Sequence, residues 1–112
     1  NKFVPDNAFF INVLTNITYL CDCWGFSTSP LIPDIGIMAS NDIVAVETAS
    51  LDAINEYDLL PNSLPIGRRL ADDPYGTKHL LEKVHGKDPF IQVRALERYG
   101  LGSMKYNLIP VK

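Results

Sequence analysis

The chain has 112 residues, 46% of them apolar and 21% charged, which suits one packed domain and is too short for two ordinary ones. Ten Lys and Arg stand against 13 Asp and Glu, and the basic residues are scattered from Lys2 to Lys112, which excludes an electrostatic footprint for a nucleic-acid backbone. No apolar run approaches the ~20 residues that span a bilayer, and the opening N-K-F-V-P-D-N lacks the charged-then-apolar layout of a signal peptide, so a soluble, cytoplasmic protein is expected. An initial Asn in place of Met points to part of a longer protein.

From Ala8 to Leu20 the run A-F-F-I-N-V-L-T-N-I-T-Y-L is dense in aromatic and β-branched residues, and a strand is predicted at Phe9 to Leu14. Cys21 to Pro33 carries Gly25, Ser27, Thr28, Ser29, Pro30 and Pro33, a loop composition that leaves both cysteines at a strand end. Ile35 to Ala39, bounded by Asp34 and Ser40, fits a short buried strand of the kind found inside α/β sheets. Ser40, Asn41 and Asp42 all suit a helix N-cap, and Val44, Ala45, Ala49, Leu51, Ala53 and Ile54 approximate a helical stripe, so a helix is predicted from Ile43 to Glu56.

Tyr57 to Asp73, with Pro61, Pro65 and Gly67, reads as a long surface connection. Pro74 then opens a predicted helix through T-K-H-L-L-E-K-V-H, closed by Gly86. Asp88 and Pro89 repeat that start signal for an amphipathic helix ended by Gly100 and Gly102. The tail M-K-Y-N-L-I-P-V alternates as a last strand, which Pro110 confines to an edge or a strand end. The expected fold is α/β: a small mixed sheet of about three strands, at least one pair parallel, flanked by about three helices, as the C-terminal part of a larger α/β domain.

Chemistry is best sought between Tyr19 and Asn55, which hold both cysteines and several isolated acids. A disulfide between Cys21 and Cys23 would close a strained ring, so two free thiols are expected. In an extended stretch they face the same way and can reach one soft ion. Zinc or an iron–sulfur cluster normally takes four ligands, so the others would come from Asp34, Asp42, Glu47, a histidine, or cysteines outside this chain segment. The blander readings are an N-cap for Asp42, a turn acid for Asp34, a solvated helix-face acid for Glu47, and packed thiols for C-D-C. His79 and His85, six apart, share no helical face and read as surface or boundary residues. No Ser/His/Asp or Cys/His relay can be assembled, Ser27, Thr28 and Ser29 lack a Gly-rich phosphate loop, and Arg68 and Arg69 read as a solvated pair.

The elements C-D-C-x-G-F-S, P-L-I-P-D-I-G-I-M-A-S-N-D-I-V-A-V-E-x-A-S-L-D and the late G-L-G-S-M-K-Y resemble the uncharacterised family catalogued as domain of unknown function 362. The resemblance covers Asn12 to Asn55 and, more loosely, Asp88 to Leu108. It implies that this chain is similar to the C-terminal half of longer proteins, some of which carry ferredoxin-type iron–sulfur modules. Where that family usually reads D-P-V-A-x-D, this chain has Ile43 in place of Pro and Glu47 in place of the second Asp, which keeps a carboxylate at both positions.

Two functional readings follow. In the first, Cys21 and Cys23 with Asp34, Asp42 and Glu47 form an iron–sulfur or divalent-metal site with a redox or electron-transfer role, working with a ferredoxin-type module, another subunit or a second copy. In the second, the chain is a non-catalytic structural or protein-interaction domain whose acids cap helices and whose thiols are packed.

Overall fold

A computed structural model describes residues 8–20 and 28–111. Among the described residues two strands, β1 (Phe10–Leu14) and β2 (Gly36–Ser40), precede three helices, α1 (Ile43–Asn55), α2 (Leu80–His85) and α3 (Ile91–Arg98). This is a mixed α/β architecture, and both strands and α1 fall within a residue or so of their predicted bounds.

β1 and β2 pair antiparallel, with Phe10 opposite Ser40 and Leu14 opposite Gly36. The expected parallel pair is therefore corrected: α1 follows β2 instead of linking the strands, so no helical crossover imposes a common direction. The third strand is also corrected. The tail beyond Met104 joins no ladder among the described residues, and its root is committed to carboxylates of α1 and α3 instead.

α1 is the hub, packing on one face of the sheet and against both other helices. Phe10, Asn12, Leu14, Gly36, Met38 and Ser40 alternate onto the covered face, and Ile11, Val13, Ile37 and Ala39 onto the other. The main buried cluster joins Leu14, Ile54, Leu80 and Val84 to Leu31 and Ile32. Those last two come from the stretch read as loop. Pro30 and Pro33 flank them, both side chains are buried, and the Leu31 backbone is satisfied, donating to the Ile17 carbonyl (2.7 Å) and accepting from the Leu60 amide (2.7 Å).

α2 is shorter than predicted. The Asp73 carboxylate takes the amides of Thr77 (3.0 Å) and Lys78 (3.3 Å) into a turn, which delays the helix until His79 caps it. Gly86, at φ 75°, ends it in the left-handed conformation that its sequence position promised.

Candidate functional site

Asp42 sits where β2 hands over to α1. Its Oδ1 accepts from the amides of Val44 (2.9 Å) and Ala45 (3.0 Å), satisfying two of the orphan donors that open a helix. Its Oδ2 accepts from the amide of Ser103 (3.0 Å), 61 positions later. Gly102 makes this possible: a Cβ there would collide with the Asp42 carboxylate and lie 2.9 Å from Val44 Cβ. The G-L-G-S-M-K-Y segment is thus a strap across the helices. Two further carboxylates hold it, Glu97 accepting from the Met104 amide (2.6 Å) and Asp52 from the Tyr106 hydroxyl (2.6 Å). The Asp52 bond, followed by burial and by the charges of Asp52 and Glu56, pushes the Tyr106 phenol up to about 12.

Glu47 lies one helical turn further on and faces β1. Its Oε1 accepts from Asn12 Nδ2 (2.9 Å), whose second proton goes to Ser50 Oγ (3.0 Å). Ser50 in turn donates to the Val46 carbonyl (2.7 Å), with its oxygen 3.8 Å from Met38 Sδ. Asn12 would otherwise be a polar side chain stranded between sheet and helix, so Glu47 and Ser50 complete its hydrogen bonding. Asp34 does a different job at the opposite end of β2, where its Oδ1 accepts from the amide of Asn16 (2.8 Å). Asn16 has a φ of 50°, a conformation Asn tolerates better than most residues, and the bond stabilises the turn as the chain leaves β1.

The three acids singled out from the sequence therefore stand apart, at the two ends of β2 and on the β1-facing side of α1, each with its own protein donors. Among the described residues no group of three or more His, Cys, Asp and Glu side chains is placed to hold a metal ion. Cys21, Cys23 and Trp24 lie outside the described residues. The segments flanking them do not. Tyr19 donates its amide to Thr28 Oγ1 (3.2 Å), and Thr18 forms an isolated antiparallel bridge with Pro30. The Tyr19 ring stacks on His85 at 4.8 Å, and the Arg68 guanidinium lies 5.9 Å from the Tyr19 ring centroid. Burial, then the charge of Lys87, holds the His85 imidazole below its ordinary range.

His79 departs from the surface or boundary reading. It is 7% exposed, wedged between α1, α2 and Phe90. Asn12, Ser50, Gly102 and Ser103 were also missed as partners. Asn12 is signalled by being the one amide in an apolar strand run, but Gly102 reads in sequence as a second helix terminator and nothing in its spacing announces a close approach to Asp42.

The outer face of the sheet is the other unexpected feature. Ile11 opposes Ala39 and Val13 opposes Ile37 across the ladder, yet Ile11, Val13 and Ile37 are 60%, 60% and 69% exposed and Phe9 beside them 67%. The expectation of a buried second strand is not met: Gly36, Met38 and Ser40 are half-buried, and Ile37 and Ala39 are exposed. Along β2 there is also a groove of about 750 Å³, walled by β2, Ala45, Val46 and Ala49 on one side and residues 106–111 on the other. No helix among the described residues is long and apolar enough to cross a membrane.

Residues 1–52 match the model of a family described as Domain of unknown function (DUF362). No curated protein and no solved structure matches the chain. The matched segment contains both strands and α1 as far as Asp52, whereas the strap that docks on Asp42 lies beyond it. The part of the chain that builds the sheet and most of its covering helix is thus the part that is similar to the DUF362 family.

Proposed function

We propose that this chain is a non-catalytic structural and protein-interaction domain that presents the outer face of its sheet to an apolar protein surface. The observation that carries this reading is the exposure of Ile11, Val13 and Ile37 on one side of a paired ladder. Strands that are apolar on both faces are normally covered on both, and contiguous exposed apolar surface marks interaction sites. The acids support the same reading, because Asp34, Asp42 and Glu47 each accept hydrogen bonds that stabilise a turn, a helix start and a sheet–helix contact.

The test is a double substitution, Ile11→Lys with Ile37→Lys, followed by dye binding to exposed apolar surface and by sedimentation over a range of concentrations. A docking face loses dye binding and any self-association while the helical circular dichroism is kept. Loss of the fold itself would contradict the reading, since side chains open to solvent in the working domain tolerate such changes.

A second reading, an iron–sulfur- or metal-associated role in electron transfer, draws support from the two thiols that lie in sequence between Tyr19 and Thr28, whose hydrogen bond pins the flanking segments together. Its remaining ligands would come from a ferredoxin-type module or another subunit, because the three acids do not form one donor set with each other.

A further inference from the structure

The two histidines of the chain bound the same short helix, and each docks it to a different neighbour. At the start of α2, His79 Nδ1 lies 3.0 Å from the amide nitrogen of Leu81. A backbone N–H can only donate, so Nδ1 is an acceptor and carries no proton. Nε2 lies 2.6 Å from the Leu51 carbonyl oxygen on α1, which can only accept, so the proton is on Nε2. Geometry alone fixes the imidazole as the neutral Nε2–H tautomer, with both nitrogens committed. Asn55 completes the junction by accepting from the Leu80 amide (2.8 Å), and the Phe90 ring closes it edge-on, 5.4 Å between centroids.

We propose that His79 is a proton-operated latch, holding α2 on α1 while its imidazole is neutral and releasing α2 when Nδ1 takes a proton. A protonated Nδ1 presents a donor to the donor of Leu81, which removes the cap of α2 and leaves a charge in a site 7% exposed. The acid that does act on that charge, Asp88, is already committed to other partners. From α1 come an uncharged carbonyl and the Asn55 amide, while Asp52 is bound to Tyr106. From the α3 side the Asp88 carboxylate interacts with a charge on His79, but it is already paired with Arg94 and accepts from the Phe90 amide. On the segment before α2, Lys78 is turned to the Asp72 carbonyl and Asp73 holds the amides of Thr77 and Lys78. Within α2, Glu82 and Lys83 carry opposite charges. Release would reach further than the junction, because α2 ends in His85, whose ring stacks on Tyr19. The latch therefore couples proton uptake to the segment of chain that leads into Cys21.

The experiment is nitrogen-15 NMR of the imidazoles with amide hydrogen exchange across pH 7.5 to 5.5, on the full chain and on His79→Asn. Asn can cap a helix through its side-chain oxygen and does not titrate. A proton on Nδ1 removes the acceptor of the Leu81 amide, so exchange at that amide reads the latch directly. The wild type should give the Nε2–H pattern for His79 at pH 7.5 and lose Leu81 amide protection by pH 5.5, and His79→Asn should lose markedly less. A proton found on Nδ1 at pH 7.5, protection that stays constant with pH, or an equal loss in the variant would each overturn the latch. Should His79→Asn fail to fold, the wild-type tautomer and protection measurements decide alone.

Discussion

Asp42 and Ser103 are joined by a single hydrogen bond of 3.0 Å across 61 residues, and that bond ties the start of the central helix to the strap that follows the last one. The same carboxylate caps α1 through the amides of Val44 and Ala45. Asp42→Ala removes both roles at once. Loss of an N-cap costs about 0.5–2 kcal/mol and an unpartnered amide at the strap adds to it, so urea denaturation should report a loss of about 2 kcal/mol. Gly102→Ala should be damaging without touching any polar group, because its methyl displaces the carboxylate.

The Asn12–Glu47–Ser50 contact predicts a coupling that sequence spacing does not suggest. Asn12→Ala leaves Glu47 and Ser50 without their shared donor and should cost about 1–2 kcal/mol. In a double-mutant cycle with Glu47→Gln the two losses should fall short of adding, since the side chains share one hydrogen bond.

The phenol of Tyr106 gives an alkaline prediction. Its ordinary value of 10.0 is raised, first by the bond to Asp52, to about 12. A group whose value is higher folded than unfolded contributes fully below the unfolded value, so the strap contact is complete below pH ~10 and is lost as the pH rises toward 12. Absorbance titration at the tyrosinate band should find one late-titrating tyrosine in the wild type, and Asp52→Asn should move it down.

His85 gives the acid counterpart. Burial and then Lys87 lower its titration, so the neutral ring favours the folded state; the stack on Tyr19 is fully present above the ordinary imidazole range and is lost as the pH falls below it. Its ring protons should titrate with a midpoint below 6.5, the ordinary value, and Lys87→Gln should raise that midpoint.

Much of the local structure was legible because it is written in short-range chemistry. The density of Phe, Ile and Val marks β1, the S-N-D cluster marks the start of α1, and Gly86 marks the end of α2. What escaped was long-range. Nothing within ten residues of Gly102 says that it lies against Asp42, and nothing near His79 says that the Leu51 carbonyl will accept its hydrogen bond. The third strand was misjudged for a related reason: M-K-Y-N-L-I-P-V has strand composition, but composition does not say that Asp42, Glu97 and Asp52 hold the root of this segment on the helices. Leu31 and Ile32 were hidden by their prolines, which signal a loop without telling which way its side chains turn. At the candidate site, the reading of Asp42 as an N-cap and Asp34 as a turn acid matches their hydrogen bonds, while the burial of His79 could not be read from its spacing alone.

The central claim is that the chain works through an apolar face, with its acids serving the fold. Metal analysis with an absorption spectrum, on protein purified without oxygen and set beside a Cys21→Ser, Cys23→Ser double variant, tests it most directly. The account predicts a well-folded, colourless protein without stoichiometric iron or zinc in either form. Stoichiometric metal in the wild type that disappears with the two thiols would contradict it and move the function to the C-D-C segment.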